Sequence, residues 1–486
     1  MRRLTPLLAV GLVLLPTQAQ AKPSQSACQQ FDNTDRTDPL LGKGISLTTP
    51  YTANLVPPGN KPAMVMDQSG TLTYTVTRRS QVVQKRTTAR LVAGAPLFLP
   101  DAGPGAYQVE ASLQGGGSTC LRYGVALPGA ALDMDALPAG RDWGGPAPAR
   151  EVVLQHELGG NLVRRGVDFG RAKDDPTQYD FTAAAAQAKA TGTYLDVQVG
   201  QGGAAEYRAI ADGTWEQSVY RIVSAHPEVT YWEAWNEPNF DLFYTGTATD
   251  YVRKILVPFA RAVHAANPSA KVVGGSTYGV DLDWWKQLKA AGGLSSIDVV
   301  AVHAYQWDSG WEHTWMVSEL KSLRILTGHK PIWDTESGYR SLAEAGGPWL
   351  QADFAVRKVL WLRSLGIPTQ SFLIEGGWQD WDVIDQYRGV KPAAMALSTY
   401  DTLLRHRAFT SVTKTKNGVY VARFGATRPG GDGIVAVWTA GEVRSLPLRT
   451  SHSGYDETGG TLHASKHLRV GGSVQYLTFK AGGTVL

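Results

Sequence analysis

The sequence has few cysteines: Cys28 and Cys120 are the only two among 486 residues. Two cysteines cannot supply the four ligands of a structural zinc site, and no His-Glu-x-x-His segment provides another metal motif. A Gly-rich phosphate loop after an early strand is also missing. We therefore expect neither a metal ion nor an organic cofactor.

The sequence has little net charge, because 47 Lys and Arg residues face 43 Asp and Glu residues. A nearly neutral chain has no electrostatic means of holding nucleic acid or anionic lipid, so we expect neither as a partner. Apolar residues make up 43% and charged residues 19%, as in globular proteins. The length predicts two to four domains.

The sequence lacks an apolar run long enough to span a bilayer. The run at 7–15 is about half of the roughly 20 residues required. Arg2 and Arg3 precede it, and small residues lead to Ala21, which is typical of a secretory signal peptide over 1–21. Lys22 rather than a cysteine follows, so no lipid anchor is expected. We predict a secreted or periplasmic protein, in which the two cysteines form a disulfide.

Short β segments separated by Gly, Pro and Asp clusters fill the chain from 63 to 125, with period-two alternation at 107–111. They predict an N-terminal, Ig-like β-sandwich domain over 22–125. Similar signals return after the last helical pattern and predict a C-terminal β-sandwich domain over 407–486. Its candidate strands are 418–424, 433–438 and 473–479.

The middle of the chain alternates short β-branched runs with long helical patterns. Successive strand ends are 29 to 39 residues apart. This repeat predicts an α/β fold, a (β/α)8 TIM barrel over 126–406, rather than a doubly wound sheet. A first strand is expected near 121–127 or just after, although 121–125 could equally complete the sandwich. The other candidate strands are 162–168, 194–199, 230–237, 271–275, 299–305, 332–336 and 371–375.

Two of these strands end in glutamate. Glu237 lies before a proline that cannot continue a strand, and Glu336 lies just before a turn glycine. By repeat count they belong to strands four and seven, whose C-terminal ends face each other across the mouth of an eight-stranded barrel. Two carboxyl groups that flank one bond are the catalytic groups of glycoside hydrolysis.

The motifs around both glutamates resemble those of clan A glycoside hydrolases, which are retaining enzymes on a (β/α)8 barrel. The segment 231–239, Tyr-Trp-Glu-Ala-Trp-Asn-Glu-Pro-Asn, and the segment 335–338, Thr-Glu-Ser-Gly, look most like glycoside hydrolase family 39. This resemblance covers about residues 150–400. It implies that Glu237 is the general acid/base, that Glu336 is the nucleophile and that Asn236 holds the 2-hydroxyl of the reacting sugar.

The resemblance also implies further substrate-binding residues. His303 and Tyr305 are similar to the His-x-Tyr of strand six in this clan, in which the tyrosine positions the nucleophile. Arg164 resembles the arginine of strand two, and Trp378 the sugar platform after strand eight. The chain departs from the family pattern at Asp334, where an apolar residue is usual, and in the segment 375–378.

Several of these residues have other interpretations. Glu233 shares a strand face with Glu237 and is expected to be a buried partner of Arg164 or Arg165, of which the motif favours Arg164 as the inward one. His303 could be a core histidine. Glu375 would replace the strand-seven nucleophile if that strand were wrongly assigned.

Tryptophan is abundant, with 15 residues. Eight of them follow strands five to eight, on the face that carries the glutamates. About half are expected to line a saccharide cleft and the rest to pack against the barrel, with Trp284 and Trp315 foremost among the packed ones. The other six are Trp285, Trp307, Trp311, Trp349, Trp378 and Trp381.

The sequence therefore predicts a secreted, metal-free, retaining glycosidase that acts on a polysaccharide or oligosaccharide. A carbohydrate-binding protein on a degenerate barrel and a transglycosylase are the alternatives. A fluorogenic glycoside panel distinguishes the first alternative and product analysis the second.

Overall fold

The computed structural model describes residue 28 and residues 47–129, 148–307, 309–342, 345–367, 370–372, 381–385, 389–428, 430–464 and 466–480. The predicted leader 1–21, Trp378 and Glu375 lie outside these residues. Among the described helices, none combines the length and the apolarity that crossing a bilayer requires.

Two sheets form the N-terminal part. The alternating sequence of β4 points Leu72, Tyr74 and Val76 inward and its threonines outward, and both sheets contribute to one apolar core. The sheet orders are β1-β3-β6 and β2-β8-β7-β4-β5. The strands are β1 (Leu47–Thr48), β2 (Leu55–Val56), β3 (Ala63–Met66), β4 (Gly70–Arg78), β5 (Gln81–Leu91), β6 (Leu97–Phe98), β7 (Gly105–Leu113) and β8 (Ser118–Val125).

Strand β8 corrects one prediction. It pairs antiparallel with β7 and parallel with β2, so residues 121–125 complete the N-terminal sheet and do not form a first barrel strand. The other expected position, just after 127, falls largely on residues 130–147, outside the described residues. Cys120 in β8 forms a disulfide with Cys28.

The central part is a curled, parallel, seven-stranded sheet in which each strand pairs with its neighbours in sequence. Both faces are buried, and Cα atoms of its two edge strands approach within 8 Å of each other. An eighth strand is not among the described residues, so they form a curled sheet and not a closed ring. The strands are β9 (Leu162–Val167), β10 (Tyr194–Val199), β11 (Tyr231–Ala234), β12 (Lys271–Tyr278), β13 (Val299–His303), β14 (Ile332–Ser337) and β15 (Gln370–Phe372).

Helices alternate with these strands, as the repeat predicts. Helix α3 illustrates the local cause: it is rich in alanine and ends at Gly192, which adopts the left-handed conformation that a terminating residue needs. A π-helical turn, Val252–Leu256, joins α6 to α7. The helices are α1 (Pro148–Glu157), α2 (Phe169–Ala172), α3 (Thr182–Thr191), α4 (Ala204–Ala211), α5 (Trp215–Ala225), α6 (Ala248–Tyr251), α7 (Val257–Ala266), α8 (Leu282–Ala290), α9 (Met316–Leu326), α10 (Gly347–Ser364) and α11 (Pro392–Leu404).

Two further sheets form the C-terminal part, with orders β18-β19-β20-β25-β22-β23 and β21-β24. Trp438 in β20 packs edge-on against Trp361 in α10, so one face of the larger sheet covers this helix. A separate two-stranded sheet, β16 (Ile384–Asp385) and β17 (Gly389–Val390), comes before α11. The strands of the two C-terminal sheets are β18 (Phe409–Lys414), β19 (Tyr420–Phe424), β20 (Gly433–Trp438), β21 (Arg444–Pro447), β22 (His452–Tyr455), β23 (Thr461–Ala464), β24 (His467–Val470) and β25 (Gln475–Phe479).

One arginine joins all three parts of the chain. Arg79, at the turn between β4 and β5, donates hydrogen bonds to Asp353 in α10 at 3.0 and 2.9 Å. It also donates to Glu457 in the C-terminal part at 2.6 Å. The N-terminal hairpin is therefore fastened to the central helix and to the C-terminal sheet by the same side chain.

Candidate active site

The local backbone directs Glu237 into the mouth of the curled sheet. Strand β11 ends at Ala234, and both Trp235 (φ 74°) and Glu237 (φ 41°) adopt left-handed conformations that are unfavourable for residues with side chains. The Glu237 amide donates to the Ser276 carbonyl on the next strand, at 2.9 Å. The Trp235 ring is fully buried. Packing thus maintains a strained turn at the motif, as is common at functional sites.

Glu336 lies near the end of β14, and its side chain is 40% exposed. The ring of His303, at the end of β13, lies between the two glutamates. Its Nδ1 is 2.8 Å from Glu237 Oε1 and 2.9 Å from Glu336 Oε2. The three ligand-type atoms all lie within 4.8 Å of one another. The structure therefore brings together the two glutamates and the histidine of the sequence prediction.

The charges of this group are set by proximity. Burial alone would lower the pKa of His303, but the Glu336 charge and hydrogen bonds to both glutamates raise it to about 9. Burial would likewise raise the pKa of Glu336, but His303, Arg164 and a hydrogen bond from Tyr305 lower it to about 2. At neutral pH, His303 is a cation and Glu336 is a carboxylate.

Arg164 on β9 connects the nucleophile candidate to a buried acid. Its Nη1 is 3.5 Å from Glu336, and its Nε and Nη2 lie 2.9 and 2.6 Å from Glu233 Oε1. Nη2 also donates to the Asn236 side-chain oxygen at 2.9 Å. Of the two partners expected for Glu233, Arg164 is the one observed, whereas Arg165 pairs with Glu151.

Asp196 on β10 was missed by sequence reasoning. It is completely buried, and burial together with the neighbouring Glu233 raises its pKa well above the usual range. Arg164, in contrast, lowers the pKa of Glu233 against the effect of burial. The surroundings therefore favour the neutral form of Asp196 and the ionised form of Glu233. A charged residue inside an apolar strand pattern was the available signal.

Asp334, the departure from the family pattern, forms a buried ion pair. Its carboxylate lies 2.8 Å from Lys358 Nζ on α10, and neither side chain is exposed. The same carboxylate accepts the Ala304 amide at 2.9 Å, while Lys358 donates to the Ala304 carbonyl at 2.9 Å. Both backbone groups of Ala304, the residue before Tyr305, are thus hydrogen-bonded to this ion pair. Sequence alone did not indicate Lys358 as the partner.

Glu312, in the segment after β13, is a second residue that sequence reasoning missed. Its side chain is fully buried. It accepts hydrogen bonds from Arg357 at 3.2 and 2.7 Å, from Trp361 at 3.2 Å and from Trp438 at 2.6 Å. We call these four residues the Glu312 cluster.

The sequence prediction of which tryptophans are buried is confirmed only in part. Trp284 is buried as expected, but Trp315 is 57% exposed, so its predicted packing role is wrong. Trp307 is 42% exposed beside the site. Those that are buried include Trp285, Trp311 and Trp381.

Glu237, His303 and Glu336 could in principle hold a divalent cation, since each offers one ligand atom to a common point. The histidine nitrogen is, however, already hydrogen-bonded to both carboxylates. The arrangement is directly suited to acid/base and nucleophilic chemistry on a bond placed between the two glutamates.

The fold is similar to that of a family 39 glycoside hydrolase. The solved structure of such an enzyme, from the gut symbiont Bacteroides cellulosilyticus WH2, matches with a TM-score of 0.67 at 16% identity, over 90% of this chain and 100% of that chain. A glucosidase from Croceicoccus marinus matches with a TM-score of 0.46 at 14% identity, over 68% of this chain and 91% of that chain. No family model matches the chain, and no curated protein does. The resemblance inferred from the two glutamate motifs is thereby confirmed for the fold.

Proposed function

We propose that the protein is a secreted, retaining glycoside hydrolase that cleaves a polysaccharide or oligosaccharide. One observation carries the proposal: oxygens of Glu237 and Glu336 approach within 4.8 Å across the mouth of the sheet. Retaining glycosidases hold their carboxyl groups about 5 to 5.5 Å apart, whereas inverting enzymes need about 6.5 to 9.5 Å to admit a water molecule.

In this proposal Glu336 is the nucleophile. It attacks the anomeric carbon as Glu237 protonates the leaving oxygen, which gives a glycosyl-enzyme and a free leaving group. Glu237 then takes a proton from water, whose oxygen attacks the anomeric carbon and releases Glu336. The low pKa of Glu336, about 2, keeps it ionised for the first step.

The neighbouring polar groups support these roles. Arg164 hydrogen-bonds the Glu336 carboxylate at 3.5 Å and helps to fix its direction of attack, and Tyr305 lowers the pKa of the same carboxyl group. His303 donates toward both glutamates and sets their spacing. Arg164 also holds the Asn236 amide, which by the family resemblance receives the 2-hydroxyl of the sugar. Trp378, the expected sugar platform, stays a prediction.

The wider assignment is also a proposal. The sheets on either side of the parallel sheet support two β-sandwich domains, over 22–125 and 407–486, flanking a barrel over 126–406. The disulfide between Cys28 and Cys120 is compatible with export to an oxidising compartment after removal of residues 1–21.

The test is the stereochemistry of the first product. The wild type is screened on a panel of fluorogenic glycosides and polysaccharides, and the anomer first released from a cleaved member is identified by proton NMR. Retention is expected, and Glu336→Gln should abolish turnover with the fold intact by circular dichroism. Inversion, or near-normal turnover by Glu336→Gln, would refute the proposed mechanism. Binding without cleavage by the wild type would favour a carbohydrate-binding protein.

A further inference from the structure

A row of aromatic rings leads from the catalytic group to the protein surface. Three of its members are partly exposed: Phe240 by 40%, Tyr278 by 37% and Trp307 by 42%. Phe240 stacks on Tyr278 with ring centroids 5.2 Å apart. Trp307 stacks on Tyr305 at 6.1 Å, and Tyr305 is close enough to Glu336 to lower the pKa of that carboxyl group. We call Phe240, Tyr278 and Trp307 the aromatic row.

The row is held in place by specific hydrogen bonds. The Trp307 indole donates to the Tyr278 hydroxyl at 3.1 Å. Asn239, from the Glu237 motif, donates to the Tyr278 carbonyl at 3.0 Å and accepts the Tyr278 amide at 2.8 Å. Large, exposed apolar rings are costly to present to water, and a contiguous set fixed beside a catalytic group indicates a binding surface.

The strand order places this row on one side of the two glutamates. Tyr278 ends β12 and Trp307 follows β13, and these two strands lie between β11 and β14, which carry or precede Glu237 and Glu336. Arg164 lies on β9, outside that arc. Arg164 and the aromatic row therefore lie on different sides of the line that joins the two glutamates.

The row is also next to the acid/base candidate. The Phe240 amide donates to the Glu237 carbonyl at 2.9 Å, so a tight backbone turn connects Phe240 to the residue that protonates the leaving oxygen. A leaving group must lie beyond that oxygen. Pyranose rings present flat C–H faces that pack on aromatic planes, and the row offers such planes in succession.

We propose that Phe240, Tyr278 and Trp307 form a leaving-group subsite that binds the next pyranose ring of a saccharide chain. This inference rests on the proposed function and specifies it: the substrate is a chain with at least one sugar beyond the cleaved bond. Binding energy from that ring contributes to the cleavage of the bond and not only to ground-state affinity.

The experiment compares substrates with and without a leaving ring. Each pair is a disaccharide and a glycosyl fluoride of the sugar that the panel identifies, such as cellobiose with β-D-glucosyl fluoride or xylobiose with β-D-xylosyl fluoride, assayed as kcat/KM. Trp307→Ala and Phe240→Ala should each lower kcat/KM on the disaccharide about tenfold, a loss of about 1.4 kcal/mol. The loss on the matching fluoride should be several-fold smaller. Trp315→Ala, an exposed tryptophan eight positions further along and outside the row, is the control and should match the wild type on both.

The outcomes separate the two proposals. Equal losses on the disaccharide and the fluoride, or a Phe240→Ala variant within twofold of the wild type on the disaccharide, would overturn the subsite while the glycosidase stands. The Phe240 ring contacts Phe243 and Tyr278 and not Tyr305. The effect of Phe240→Ala therefore cannot come from displacing Tyr305, the residue beside the nucleophile. A wild type that cleaves no member of the fluorogenic glycoside and polysaccharide panel would count against the proposed function, and the subsite proposal would fail with it.

Discussion

The Glu312 cluster gives the sharpest test of how the C-terminal sheet supports the active-site face. Glu312 lies in the segment that also carries Tyr305 and Trp307, and it accepts the Trp438 indole of β20 at 2.6 Å. Arg357, its ion-pair partner, has a side chain only 1% exposed. Two variants probe the cluster: Glu312→Gln removes the charge and keeps the shape, and Trp438→Phe removes one donor and keeps an aromatic ring.

The expected losses in the free energy of unfolding follow from the burial of these side chains. Glu312→Gln leaves the Arg357 guanidinium without its counter-ion in a dry site, which costs about 3 to 5 kcal/mol. Trp438→Phe removes one hydrogen bond to a charged group, worth about 1.5 to 3 kcal/mol. Since Glu312 keeps its bonds from Arg357 and Trp361, the loss in the second variant should fall near the lower value.

A matched control is available in the same part of the chain. Glu442 and Arg444 form an ion pair with side chains 77% and 49% exposed, so Glu442→Gln should cost less than about 1 kcal/mol. The assay is urea unfolding followed by tryptophan fluorescence and far-UV circular dichroism. Midpoints are compared rather than extrapolated free energies, because a chain of this size need not unfold in two states.

The expected order of destabilisation is Glu312→Gln, then Trp438→Phe, then Glu442→Gln. Glu312→Gln should also lower kcat/KM on any cleaved glycoside, because the segment that carries Tyr305 loses its ion pair with Arg357 on α10. If Glu312→Gln shifts the urea midpoint no more than Glu442→Gln does, burial does not make the Glu312 charge important for stability, and the predicted order is wrong.

Two further predictions concern the catalytic group. The pKa of His303 is raised from 6.5 to about 9, so its contribution to stability, about 3 kcal/mol, is present below pH 6.5 and lost as the pH rises through about 9. The difference in urea midpoint between wild type and His303→Asn should therefore shrink between pH 6 and pH 9.5, and a constant difference would contradict the charge assignment. Tyr305→Phe removes the hydroxyl that lowers the pKa of Glu336, so kcat/KM should fall about ten- to hundredfold and the acidic limb of its pH profile should move to higher pH. A profile with an unmoved acidic limb would show that the hydroxyl does not stabilise that carboxylate.

Much of the fold was predictable because local patterns and tertiary structure agree. Strand β20 was predicted with its observed bounds, since a short apolar run between glycines has few alternatives. The approach of Glu237 and Glu336 was predictable for a topological reason: parallel strands in repeat order bring their C-terminal ends to one face.

Other features were not predictable because they depend on distant partners. Glu312 and Trp438 are 126 positions apart, and no local pattern reveals that their side chains meet. The strand β8 was ambiguous for a different reason: a short β run such as 121–125 is compatible with an antiparallel sheet as well as with a barrel, and its pairing with β7 decides between them. The exposure of Trp315 depends on where a helix begins against its neighbours, which composition does not specify.

The buried charges explain why so many ionisable residues can share one small volume. Arg164 and His303 are cations, and Glu233 and Glu336 are the anions that balance them. Burial and the Glu233 charge raise the pKa of Asp196, which favours its neutral, uncharged form. Without Glu237, the site therefore contains two positive and two negative charges. The acid role of Glu237 therefore does not require its carboxylate as a counter-ion of Arg164 or His303, since Glu233 and Glu336 pair with them.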